Sequence, residues 1–181
     1  MTWLWLLATP ASAADLTPAQ QALLMLKVVG YDRNRQARGA DLVRIGVLGD
    51  LHGKSRARAR DVHAALEELV ASGLTLDGRP VEVVDLLLAD DEDLLDALKT
   101  AHPNALYVAP AIHHSAGSIA QATREVDVLT FSSDPQAVDD GLAVGLLAES
   151  GRAQIIIHLE AARDEGADLP AGLLQLARVV H

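Results

Sequence analysis

Apolar positions along the chain follow two rhythms that take turns. Short runs rich in Val, Ile and Leu, at residues 42–48, 81–88, 105–108 and 126–131, have the length and composition of strands. Between them, spacing by threes and fours places Ala59, Val62, Ala65, Leu66 and Leu69 on one face of a helix over 55–72 and predicts further helices over 90–100 and 113–125. An earlier helix opens at Thr17-Pro18-Ala19-Gln20, a capping-box pattern with proline in the first turn, and runs through Leu23, Leu24, Leu26 and Val28. Strands and helices alternating through short links imply βαβ units and a mostly parallel sheet covered on both faces. The expected fold class is α/β, a single three-layer domain whose sheet has about five or six strands.

Towards the end the rhythm changes. Residues 142–148 and 153–158 are apolar runs joined by Glu149-Ser150-Gly151-Arg152, which predicts an antiparallel hairpin. The run Ile155-Ile156-Ile157 is apolar on both strand faces, as expected of a strand covered on both sides. Beyond it, Leu173, Leu176, Ala177 and Val180 recur at helical spacing, with Asp168 as cap and Pro170 in the first turn. A C-terminal helix with its apolar face in the core is therefore expected to close the domain.

Composition narrows the functional classes. The 181 residues suit one domain. A net charge of −10 and only 3% aromatic residues argue against nucleic acid and anionic membrane surfaces as partners. There is no cysteine, which excludes thiol chemistry and Cys-ligated zinc. Residues 1–13, MTWLWLLATPASA, have the form of an export signal: an apolar run, Pro10 as breaker, and Ala11-Ser12-Ala13 as cleavage site. The mature domain is then expected to span 14–181 outside the cytoplasm, with no membrane insertion of its own.

Chemistry is sparse. Gly49-Asp50-Leu51-His52-Gly53-Lys54-Ser55 follows the first strand but has three residues between its glycines where a phosphate loop needs four, leaving a plain turn or a small-anion site at a helix start. His113 and His114 are adjacent and diverge on a helix, and even with His52 they make a poor metal set. Asp90, Asp91, Glu92 and Asp93 suit a helix N-terminus. Ser132-Ser133-Asp134-Pro135 is a turn that can line the same sheet edge. No GxSxG, SxxK or HExxH occurs, so no catalytic residue and no cofactor is expected. The candidate ligand-binding residues are Asp50, His52, Lys54, His113, His114, Ser132 and Ser133, all placed by strand ends at the carboxyl edge of the sheet.

The ending IIIHLEAARDEGADLPAGLLQLARVV resembles the C-terminal signature of the YfiR/HmsC-like family of exported bacterial regulators. Leu26-Lys27-Val28-Val29-Gly30-Tyr31-Asp32-Arg33, Ile45-Gly46-Val47-Leu48, Leu106-Tyr107-Val108-Ala109-Pro110 and Val128-Leu129-Thr130-Phe131-Ser132 before Gly141-Leu142-Ala143 are similar to it as well. The resemblance implies a periplasmic, non-enzymatic binding module that acts on the periplasmic part of an inner-membrane signalling protein, in the best understood relatives a diguanylate cyclase. Two departures stand out. The relatives' disulfide cysteines are missing, so redox control does not carry over, and Tyr31-Asp32 replaces their Trp-Pro. A periplasmic small-solute binding domain using the sheet-edge crevice is the alternative, and a homodimer is compatible with the apolar composition.

Overall fold

Thr17 opens helix α1 (Pro18–Tyr31) by the expected reciprocal cap: its hydroxyl accepts the Gln20 N–H while the Gln20 side chain accepts the Thr17 N–H. Thr17→Ala should cost about 1 kcal/mol, read as a lowered denaturant midpoint with an unchanged slope. The computed structural model describes residues 15–34, 41–89 and 93–181; the expected export signal at 1–13 and the acidic residues Asp90, Asp91 and Glu92 lie outside them.

After α1 come β1 (Val43–Asp50), α2 (Gly53–Ala71), β2 (Thr75–Leu76), β3 (Arg79–Leu88), α3 (Leu94–Ala101), β4 (Ala105–Val108), α4 (Ala116–Glu125), β5 (Leu129–Ser132) and α5 (Pro135–Asp139). The chain continues through β6 (Val144–Glu149), β7 (Arg152–His158), α6 (Leu159–Asp164), α7 (Ala171–Leu174) and β8 (Arg178–Val180). The strands form one eight-stranded sheet in the order β2-β3-β1-β4-β5-β6-β7-β8. From β3 to β6 all neighbours are parallel. The β2–β3 and β6–β7 pairs are antiparallel.

Two cores separated by the sheet make the three layers. On one face Val43, Ile45 and Val47 of β1 and Ala105 and Tyr107 of β4 pack with Met25 and Val29 of α1 and Val62 and Leu66 of α2. On the other, Leu48, Leu106 and Val108 pack with Leu94 and Leu98 of α3 and Ile119 of α4. This alternation along β1 and β4 is the two-residue period of a strand buried on both sides.

Three expectations need correction. First, the sheet has eight strands because short pairs, β2 at one edge and β8 at the other, extend it. Second, the C-terminal helix stops at Leu174; Leu176 is 78% exposed, and Arg178, Val179 and Val180 pair in parallel with Ile156, Ile157 and His158. The backbone groups of β7 that would otherwise form an open edge recruit the β-branched end of the chain, and that pairing overrides helical spacing. Asp168 caps nothing there: its N–H donates to Asp32, whose buried carboxylate also accepts the Asn34 N–H and so ties the end of α1 to the C-terminal segment. Third, α4 begins at Ala116 rather than at His113, because Ser115 is the residue whose hydroxyl caps it.

Candidate functional site

Strand β1 lies between β3 and β4, so the connection from β3 through α3 to β4 carries the chain across it. At such a reversal the loops leaving neighbouring strands diverge and open a crevice at the carboxyl edge of the sheet. A cleft of about 600 Å³ lies there, lined by Asp50, Leu51, His52, Leu88, Ala111 and His113 among others. Three of the expected candidates, Asp50, His52 and His113, thus come together.

Asp50, however, is spent on the fold. Its carboxylate accepts the Ser55 hydroxyl at 2.5 Å and the His113 N–H at 3.0 and 3.2 Å, while its own N–H donates to Ser55 Oγ at 3.1 Å. One side chain therefore staples the end of β1 to the first turn of α2 and to the β4–α4 loop. The first turn of α2, read from the sequence as a plain turn or a small-anion site, already faces this carboxylate, which disfavours a second negative charge. Lys54 is exposed and does not line the cleft. The His113 and His114 rings stand edge to face at 6.2 Å, and His114 belongs instead to a neighbouring pocket of about 220 Å³ that also takes in Ser132. The Ser132 hydroxyl donates to the Val108 carbonyl and accepts the Asp134 N–H.

Farther along the same edge, between the ends of β4, β5 and β6, a second crevice of about 350 Å³ contains the better-built site. Two of its lining residues, Gln21 and Ser133, are joined by a buried polar chain behind them. The Tyr107 phenol donates its one proton to Gln21 Oε1 at 2.7 Å, so Ser133 Oγ, at 3.1 Å, donates to the phenol oxygen and keeps its lone pairs for the crevice. Gln21 Nε2 in turn donates to the Leu16 carbonyl. Burial pushes the Tyr107 hydroxyl pKa up, opposed by the Ser133 hydrogen bond and the positive charge of Arg58, so the phenol is neutral throughout the physiological range. Arg58, on α2, lines the crevice half-buried and makes no hydrogen bond or ion pair with a described residue. Two carboxylates, Asp15 and Asp134, line it too, the latter capping α5 through the Gln136 N–H. Pro110, Pro135, Leu146 and Leu147 supply apolar wall.

Of the expected candidates only Ser133 lines this crevice; strand-end reasoning missed Arg58 and Gln21, which line it too, and Tyr107, buried behind Gln21 and Ser133. Gln21 left a signal, a polar residue in register with Met25 and Val28 on the buried face of α1. So did Tyr107, the one polar-tipped side chain in a strand that is otherwise apolar and wholly buried.

The sequence profile of the YfiR/HmsC-like family matches residues 19–178. The chain belongs to the YfiR/HmsC-like family. No curated protein sequence matches it. Among solved structures, this YfiR/HmsC-like domain is similar to the ABC domain in complex with L-Trp from Streptococcus pneumonia, at 13% identity and a TM-score of 0.57, over 90% of this chain and 60% of that one. It is also similar to a conserved domain protein from Vibrio cholerae O1 biovar El Tor, at 14% identity and a TM-score of 0.58, over 93% of this chain and 62% of that one. The domain spans about three-fifths of each of these longer chains, and at such identities the likeness is one of fold.

Proposed function

We propose that this YfiR/HmsC-like domain is a non-enzymatic regulator of the periplasm that takes a small zwitterionic solute of the amino-acid class into the Arg58 crevice. Its output is contact with the periplasmic part of an inner-membrane signalling protein, such as a diguanylate cyclase. The observation that carries the reading is one guanidinium, Arg58, sharing a crevice with two carboxylates, Asp15 and Asp134, with the neutral hydrogen-bonding side chains of Gln21 and Ser133 and with an apolar wall. A guanidinium suits a carboxylate, an aspartate suits an ammonium, and the wall suits an apolar side chain. The L-Trp with which the Streptococcus domain is in complex is a solute of this class. Binding rather than hydrolysis is favoured because the Ser132 and Ser133 hydroxyls donate to a carbonyl and a phenol, not to a base that would activate them. Occupancy reaches a partner if the solute prefers one conformation of the crevice.

Thermal unfolding in the presence of each of the twenty amino acids tests this. At one hundred times its Kd a bound solute stabilises by about 2.7 kcal/mol, which raises Tm by roughly 5–10 °C in a domain of this size. Arg58→Ala should abolish the rise while leaving the solute-free Tm nearly unchanged. No rise with any amino acid, or a rise that survives Arg58→Ala, would overturn the reading.

A further inference from the structure

We infer that the solvent face of α1 is a docking site for a helix of another protein, one that inserts an apolar side chain into a hole centred on Gly30 and sets an acidic residue against Lys27. Leu23, Leu26, Lys27 and Gly30 stand at positions i, i+3, i+4 and i+7 and surround a single opening of about 310 Å³, closed at its sides by Tyr31, Leu74 and Leu76. Four helical residues so spaced are the hole that receives a knob when two helices pack. The rim is apolar and open to solvent, for Leu23 is 42% and Tyr31 51% exposed.

Gly30 is the decisive residue. It is the penultimate residue of α1, in a last turn where glycine is destabilising by at most roughly 0.5–1 kcal/mol relative to alanine. Its φ is not among the positive ones, so the backbone does not require it. Nor is it crowded: a Cβ there would meet only Leu76 Cδ2, at an ordinary 3.6 Å. What the missing side chain leaves is the hole itself.

Charge selects the occupant. Lys27 is the only charged residue of α1, which has no Asp or Glu, in a chain whose net charge is −10. A second copy would set Lys27 near Lys27 if it docked symmetrically and would bring a further −10, whereas a helix with an acidic residue one turn from its apolar knob complements the site. The inference takes from the proposed function only the place to look, a membrane-bound signalling partner.

The test places a photo-crosslinking amino acid in the full-length protein in cells, at Leu23 and, as a control, at Leu176, which is exposed beside the opposite edge of the sheet. The expected result is a cross-link from position 23 that mass spectrometry maps to a helical segment with an acidic residue within one turn. Gly30→Leu and Lys27→Glu should each cut its yield about tenfold. Gly30→Leu should at the same time leave Tm no lower, with a rise of at most roughly 2–4 °C, so that lost docking cannot be confused with lost folding. Cross-links only to a second copy or to a non-helical segment, or a yield unchanged by Gly30→Leu, would overturn the inference. A membrane partner captured from position 176 but not from 23 would overturn it and leave the regulator reading standing; silence at both positions would overturn both.

Discussion

Replacing Glu165 by glutamine is expected to remove a loss of stability that the native domain suffers as pH rises from about 4.5 to about 7. Glu165 has no exposure to solvent and sits where three elements meet. It accepts the Thr123 hydroxyl of α4 at 3.0 Å, and the N–H and hydroxyl of Thr130 in β5, each at 2.8 Å. The Thr130 hydroxyl also accepts the Ala143 N–H, so the cluster reaches the loop before β6. Burial raises the Glu165 pKa from its ordinary 4.5 to about 7, against the opposing pull of the Thr130 and Thr123 hydrogen bonds and the more distant charge of Arg124.

The sign follows from linkage. Because the folded state holds the Glu165 proton more tightly than the unfolded state, its stabilising contribution is complete below pH 4.5 and is lost as pH rises through the folded pKa. At 1.36 kcal/mol per pH unit the span from 4.5 to about 7 corresponds to roughly 3 kcal/mol. Glutamine keeps the shape, accepts from the Thr130 N–H as the carboxyl does, and donates from its amide where the protonated acid would donate from its hydroxyl. Denaturant midpoints of the native and Glu165→Gln proteins should therefore agree below pH 4.5, diverge as pH rises towards 7 and stay apart above it, with the variant more stable. Parallel pH profiles would show that Glu165 is charged and well compensated in the fold.

Gly49→Val should be the most damaging single change near the crevice. A Cβ at position 49 would lie 2.8 Å from Ala59 Cβ and 3.3 Å from the Ser55 carbonyl oxygen, both rigid parts of α2. Relief requires moving α2 away from β1, since neither atom is the end of a flexible chain. Over-packing of this kind costs about 3 kcal/mol at the upper end of its usual range, or roughly 6–12 °C in Tm. The same movement draws Ser55 off the Asp50 carboxylate and shifts Arg58, one helical turn farther on, relative to the crevice. Solute binding, measured as the ligand-induced Tm rise, should thus fall in Gly49→Val even at temperatures where the variant is folded. An unchanged Tm would mean that α2 does not pack as closely as this glycine allows.

What local pattern could determine, it did. Thr17 and Gln20 cap α1, and the strand at Ala105–Val108 and the β6–β7 hairpin lie where the apolar runs and turn residues put them. These features depend on residues a few positions apart, whose spacing is visible along the chain. The gathering of Asp50, His52 and His113 was legible too, because strand ends of a parallel sheet share one edge.

Tertiary structure alone decided the rest. The acceptor role of Asp50 depends on an N–H 63 residues away, and the polar chain behind the crevice on a Tyr107–Gln21 hydrogen bond across 86 residues. Whether 178–180 coil or extend depends on the open edge of β7, not on the spacing of Leu173, Leu176 and Val180. A side chain's chemistry is written in the sequence, but its use is set by which distant donor, acceptor or backbone edge folding brings within about 3 Å of it.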